Sequence, residues 1–147
     1  MTDSPALTIA RLSRLLDSHA PPDLTVPQYR VLGLLSGGDE RSTALATRLA
    51  VAKTTLTSLI DNLVERGYVA RETAAGDRRV VRLAMTTSGR EAFDAAERHF
   101  ASVFDDVVQQ CDDPAAVLDA VDQIRRVLDS RWAPAITGSA ATTPGAR

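Results

Sequence analysis

Apolar positions along the chain recur at two spacings, and the changes between them outline the fold. From Ala6 to Ser18, Leu7, Ile9, Ala10, Leu12, Leu15 and Leu16 follow one another at mixed three- and four-residue steps among Arg11, Arg14 and Asp17. That spacing predicts a helix. Pro21 and Pro22 end it, and Thr25 with Pro27 reads as the cap and first turn of a second helix carrying Tyr29, Val31, Leu32, Leu34 and Leu35. Gly37 and Gly38 stop that helix. Ser42 is placed to cap a short third helix through Ala50, with Leu45 and Leu49 inward. A longer fourth helix follows from about Lys53 to Arg66, its inward stripe being Leu56, Leu59, Ile60 and Leu63. Gly67 then stands where a left-handed C-terminal cap is needed.

Beyond Gly67 the period drops to two. "YVARE" and "VVRLAM" read as short strands around the turn-forming "TAAGD", which makes a hairpin. Ser88 and Gly89 open a long helix to about Cys111, with Phe93, Ala96, Phe100, Val103, Phe104 and Val107 spaced for one buried face. "CDDP" breaks it. A last helix from Pro114 to Trp132 presents Val117, Val121, Ile124, Leu128 and Trp132, with Asp112 and Asp113 before it and Arg125, Arg126 and Arg131 towards its end, the order that suits a helix dipole. Residues 133–147 are small, polar and proline-interrupted, so a disordered tail is expected. The expected fold is mainly α with a small antiparallel β-hairpin: one domain over residues 1–132, with a winged helix-turn-helix at about 27–88 flanked by helices at about 6–19 and 89–132.

Composition narrows the classes of function. At 147 residues and 44% hydrophobic content the chain can bury one substantial core. No targeting leader and no apolar run of about 20 residues is visible, so a cytoplasmic protein without membrane contact is expected. The single cysteine, Cys111, excludes an intramolecular disulfide. His19 and His99 have no Cys or Glu at metal-ligand spacing, so no metal is expected. Phosphate loops, nucleophile elbows and clustered catalytic carboxylates are also missing from the sequence, and neither an enzyme nor a cofactor is expected.

Charge points elsewhere. Net charge is -2, yet residues 41–90 hold nine Lys/Arg against four Asp/Glu, a basic segment inside an acidic body. With Leu56, Leu59, Ile60 and Leu63 inward, the fourth helix turns Thr54, Ser58, Asp61 and Glu65 outward, and Lys53, Thr55 and Thr57 lie at its exposed start. Hydroxyls and a lysine can bond phosphates and base edges, so Asp61 and Glu65 are expected where the helix leaves a duplex. Four arginines fall between Arg71 and Thr86. Of these, Arg78 and Arg79 belong to the hairpin tip, where an arginine suits a narrow minor groove. Asp77 is placed to orient a neighbouring arginine or backbone amide. Arg71 and Arg82 lie on the strands, where they face phosphate or solvent. A solvated charged turn and an ordinary Ser/Thr-bearing helix face are the bland alternatives, and a winged-helix protein-interaction module without DNA binding is the competing function.

The ordered set "STALATRLAVAKTTLTSLIDNLVERGYVARE" and "GDRRVVRLAMTTSG" resembles the MarR family of multiple-antibiotic-resistance-type regulators, over roughly Ala6 to Trp132. The resemblance implies a cytoplasmic homodimer joined by its first and last helices, each winged domain reading one half of a pseudo-palindromic operator in double-stranded DNA. It further implies a transcriptional regulator, most often a repressor released by a small-molecule effector. Carried over by position, Lys53, Thr54, Thr55, Thr57 and Ser58 match the groove-facing residues, and Arg79 matches the wing-tip arginine. The chain departs from the pattern at Ala52, where relatives usually carry a capping Ser or Thr, at Thr54 in place of a frequent proline, and at Met85 in place of a leucine. A small aromatic effector is the expected ligand class. Tyr29, Phe93, Phe100 and His19 are candidates to line its pocket, although aromatic residues at helical spacing fit a core equally well.

Overall fold

The computed structural model describes residues 4–38, 40–74 and 77–132; the side chains of 40–42, 74, 77–80 and 132 lie outside that description, as does the tail 133–147. The elements in chain order are α1 (Pro5–Ser18), α2 (Val26–Leu35), β1 (Glu40–Arg41), α3 (Ser42–Leu49), α4 (Lys53–Glu65), β2 (Val69–Ala74), β3 (Asp77–Met85), α5 (Thr87–Val108) and α6 (Pro114–Trp132). They fall into two compact units, Met1–Cys111 and Asp112–Arg147.

In the first unit the core is aliphatic. Leu24, Val31, Leu32 and Leu35 from α2 and its approach meet Leu45 and Leu49 of α3, Leu56, Ile60 and Leu63 of α4, Val69 and Leu83 of the sheet, and Ala96 and Phe100 of α5. Thr25 caps α2 in a reciprocal box: its Oγ1 accepts from Gln28 N at 3.4 Å, and Gln28 Oε1 accepts from Thr25 N at 3.0 Å. The buried Gln28 side chain also donates to Asn62 Oδ1 at 2.7 Å, which ties the start of α2 to α4. The sheet has three strands in the order β1-β3-β2, all antiparallel, with Val69 opposite Met85 and Arg71 opposite Leu83. The two-residue strand β1, which pairs Glu40 with Leu83, extends the hairpin read from the sequence.

Two helix starts differ from the sequence reading. Helix α3 begins at Ser42 itself. The cap of α5 is Thr86 rather than Ser88: Thr86 Oγ1 accepts from Gly89 N at 3.0 Å. The buried face of α5 also runs along the four-residue row Ala96, Phe100 and Val108, leaving Val107 exposed. Rows stepping by four drift around a helix of 3.6 residues per turn, so the stripe ends on Val108.

Junctions are tightest where β2 leaves α4 and α5 leaves β3. Gly67 has φ +74°, the left-handed conformation glycine takes without a Cβ clash. Thr86 N donates to Tyr68 O at 3.1 Å, while Thr86 Oγ1 and Ser88 Oγ donate to Gly67 O at 2.6 and 2.9 Å. Gly89 is buried against the same turn, and a Cβ there would lie inside contact distance of the Tyr68 carbonyl.

The terminal helices are different. Helix α1 has no buried residue, and Leu7 and Ile9 are exposed. Helix α6, in the second unit, exposes Leu118, Val121, Ile124, Val127 and Leu128. Asp113 Oδ1 accepts from Ala116 N at 3.0 Å at its start. Along its polar side Arg125 bridges Asp122 at 2.6 Å and Asp129 at 3.0 Å, and Arg126 pairs with Asp122. The hydrogen bond from Arg125 holds the Asp122 carboxyl below its ordinary range.

Candidate nucleic-acid interface

Helices α3 and α4 form a helix-turn-helix whose turn passes through Ala50 at φ 53°. This left-handed conformation strains any residue with a Cβ. The end of α3 is held by Ala50 N donating to Thr47 O at 3.2 Å and by Arg30 Nη2 donating to Leu49 O at 3.3 Å. Helix α4 starts at Ala52 without a side-chain cap, as its alanine dictates. Inward, Leu56, Ile60 and Leu63 are buried; outward, Lys53, Thr54, Thr55, Thr57 and Ser58 are all exposed on the first half of the helix. The structure therefore places these five residues of the sequence reading on one exposed stretch.

Their hydroxyls are not equivalent. Thr57 Oγ1 donates to Lys53 O at 2.9 Å, and Ser58 Oγ donates to Thr54 O at 3.2 Å. A hydroxyl has one proton and two acceptor lone pairs. Engaged in this way, Thr57 and Ser58 turn acceptors outward and favour partners that donate, such as adenine N6 or cytosine N4 amino groups, over phosphate oxygens.

Basic charge on this surface is narrower than the count over residues 41–90. Arg71, on β2, pairs with Asp61 of α4 through both a hydrogen bond and an ion pair. This corrects the expectation that Arg71 faces phosphate or solvent alone: its guanidinium meets a carboxylate from the helix ten residues earlier, and Asp61 is neutralised in the same contact. Arg66 is likewise engaged, donating to Asp23 O, lying 3.8 Å from the Asp23 carboxylate and stacking over the Tyr68 ring at 4.7 Å. Lys53 and Arg82 remain exposed. For Asp77, Arg78 and Arg79 the backbone runs in β3, with Asp77 opposite Ala74, and their side chains lie outside the described residues.

Aromatic candidates for an effector pocket pack together instead. The Tyr29 ring stacks on Phe93 with centroids 5.3 Å apart and tilts against Phe100 at 4.9 Å. Its hydroxyl donates to Glu97. Burial, then the hydrogen bond and charge of Glu97, push the phenol well above its ordinary pKa. His19 lies apart from this stack, its carbonyl accepting from His99 Nε2 at 2.6 Å. Among the described residues no group of three or more His, Cys, Asp or Glu could hold a metal ion, and no helix is long and apolar enough to cross a membrane.

The sequence model of the MarR family matches residues 23–80, which span α2, the helix-turn-helix and most of the hairpin. Over these residues the chain carries the sequence pattern of that family. No curated protein sequence matches the chain. Solved structures of MarR-type regulators superimpose on it. Apo MarR from E. coli has a TM-score of 0.72 at 24% identity, covering 87% of this chain and 98% of that one. A cysteine-to-serine variant of E. coli MarR complexed with operator DNA gives 0.65 at 24% identity, covering 84% and 89%. CouR from Rhodococcus jostii RHA1, bound to p-coumaroyl-CoA, gives 0.68 at 24% identity, covering 88% and 89%. At this identity the structural likeness defines the MarR-type winged-helix fold.

Proposed function

We propose that this protein is a dimeric, sequence-specific DNA-binding transcriptional regulator of the MarR family, acting as a repressor that a small molecule releases from its operator. The observation that carries the reading is the exposed first half of α4, where Lys53 and four hydroxyl side chains stand clear of the core on the second helix of a helix-turn-helix. Arg78 and Arg79 supply the second contact at the tip of the wing, with Asp77 setting their geometry and Arg79 in the minor groove. Two copies meet through the uncovered apolar residues of α1 and α6, which sets two recognition helices on one pseudo-palindromic site in the cytoplasm. The operator complex of E. coli MarR and the ligand complex of CouR support both halves of this reading by analogy of fold.

Mobility-shift titration on the promoter DNA flanking its own gene tests it. Salt-dependent binding is expected, with half-sites roughly 10 base pairs apart. Arg79→Ala should weaken specific binding by about 1 to 3 kcal/mol. Absence of salt-dependent binding, or indifference to Arg79→Ala, overturns the DNA-reading role.

A further inference from the structure

The outward side of α4 carries two kinds of hydroxyl. Thr54 and Ser58 face most directly away from the buried Leu56, Ile60 and Leu63, and Thr57 lies beside them. Ser58 Oγ donates to Thr54 O at 3.2 Å and Thr57 Oγ1 to Lys53 O at 2.9 Å, so both protons are engaged inside the helix. Among the described residues the Thr54 hydroxyl has no such bond, and its proton is free for a partner. The donors that read guanine stand elsewhere. Guanine O6 and N7 call for an arginine or a lysine, yet Lys53 is the first residue of the helix and Arg71 is engaged by Asp61. What Ser58 presents to a base edge is therefore a lone pair, and its own bond to the Thr54 carbonyl polarises the oxygen into a better acceptor. Turning the proton outward instead would forfeit that bond, a penalty of about fivefold in affinity.

We infer that Ser58, with Thr57 beside it, reads the exocyclic amine of adenine or cytosine in the major groove, and that a methyl group on that amine excludes the protein. Thymine O4 or guanine O6 at the same place would set an acceptor against an acceptor, with neither hydrogen-bonded. Every base pair carries one amino and one keto base, so what is read is which strand carries the amine. A·T is told from T·A and C·G from G·C, while adenine and cytosine on the same strand are alike. Thr54, with its proton free, adds affinity without this choice. Modified DNA follows from the same chemistry. In a paired adenine or cytosine one amine hydrogen is committed to the opposite base and the other faces the major groove. Methylating the amine removes the hydrogen that Ser58 accepts and leaves the base pairing in place.

The inference rests on the DNA-reading role proposed above, and the outcomes of one experiment separate the two. The full chain selects its operator from a pool of random duplexes, and each adenine and cytosine of the selected half-site is then replaced in turn by N6-methyladenine or N4-methylcytosine. At one position the methyl group should weaken binding about tenfold, whereas the 7-deaza analogue of the purine in the same pair, which lacks only an acceptor, should bind as before. Ser58→Ala, at an exposed position, should bind the unmodified operator about fivefold more weakly and lose the methyl discrimination there. Ser58→Thr should retain that discrimination, and Thr54→Ala should weaken binding to both duplexes equally. Methyl discrimination that survives Ser58→Ala at every position, or a loss on 7-deaza substitution with methylation tolerated, overturns the inference and leaves the regulator standing. Selection of no duplex at all overturns the regulator reading and this inference with it.

Discussion

Helices α4 and α6 carry the same kind of apolar stripe and have opposite fates. In α4, Leu56, Ile60 and Leu63 are 2%, 3% and 0% exposed; in α6, Val121, Ile124 and Leu128 are 42%, 52% and 37% exposed. Periodicity states that a helix has a face to cover and is silent about what covers it. For α4 the cover is this chain's own core. For α6 the proposed cover is a second copy, since five exposed large hydrophobic side chains on one helix are a contiguous apolar surface of the kind that marks an interface.

The sharpest way to break this contrast is a pair of truncations. Leu63→Ala should cost about 2 to 5 kcal/mol of unfolding free energy by leaving a cavity in a packed core. Ile124→Ser should leave the winged core folded and shift sedimentation towards the monomer; equal loss of stability in both variants would erase the distinction. Next in size is Gly89→Ala. Its Cβ must displace the Tyr68 carbonyl, for a cost of about 2 to 3 kcal/mol in urea denaturation. Ala50→Gly works in the opposite direction. Relieving the left-handed strain of the helix-turn-helix should raise stability by about 0.5 to 1 kcal/mol, provided strain relief exceeds the added freedom of the unfolded chain.

The smallest effect is at Tyr29, which joins α2 to α5. The phenol pKa is raised above its ordinary value of 10.0 in the folded state, so the folded chain holds this proton more tightly than the unfolded chain does. The corresponding stability is fully present below about pH 10 and is lost as pH rises further towards the folded value. Tyr29→Phe should flatten that alkaline limb, read from denaturation midpoints across the range. An unchanged limb would place the titration elsewhere.

Much of the fold was legible because its punctuation is local. Thr25 with Pro27 at the start of α2, Gly67 at the end of α4 and the break before Pro114 act through residues adjacent in sequence, and their positions followed directly. What escaped reading depends on distant partners. Strand β1 is two residues long and exists through pairing with Glu40 opposite Leu83, so no period announces it. Thr86 rather than Ser88 caps α5, although both hydroxyls reach the Gly67 carbonyl, and the identity of the cap is decided by how the strand arrives. In the candidate interface, the exposed run from Lys53 to Ser58 was legible from the four inward positions of α4. The Asp61–Arg71 pair was not, because helix and strand bring the two together only after folding. An i to i−4 hydroxyl bond in a helix could have been anticipated at Thr57 and Ser58 from their spacing to Lys53 and Thr54.

The wing enters and leaves the protein at nearly one point. Tyr68 and Thr86 are joined by a 3.1 Å backbone hydrogen bond, and the Gly67 carbonyl accepts from two hydroxyls on the returning chain. The base of the hairpin is thus closed on itself as well as held by the β1–β3 pairing and by Val69 and Leu83 in the core. The splice at Gly67, Thr86 and Gly89 therefore fixes where α5 starts relative to the end of α4 from contacts at the base of the wing alone, as a clasp does.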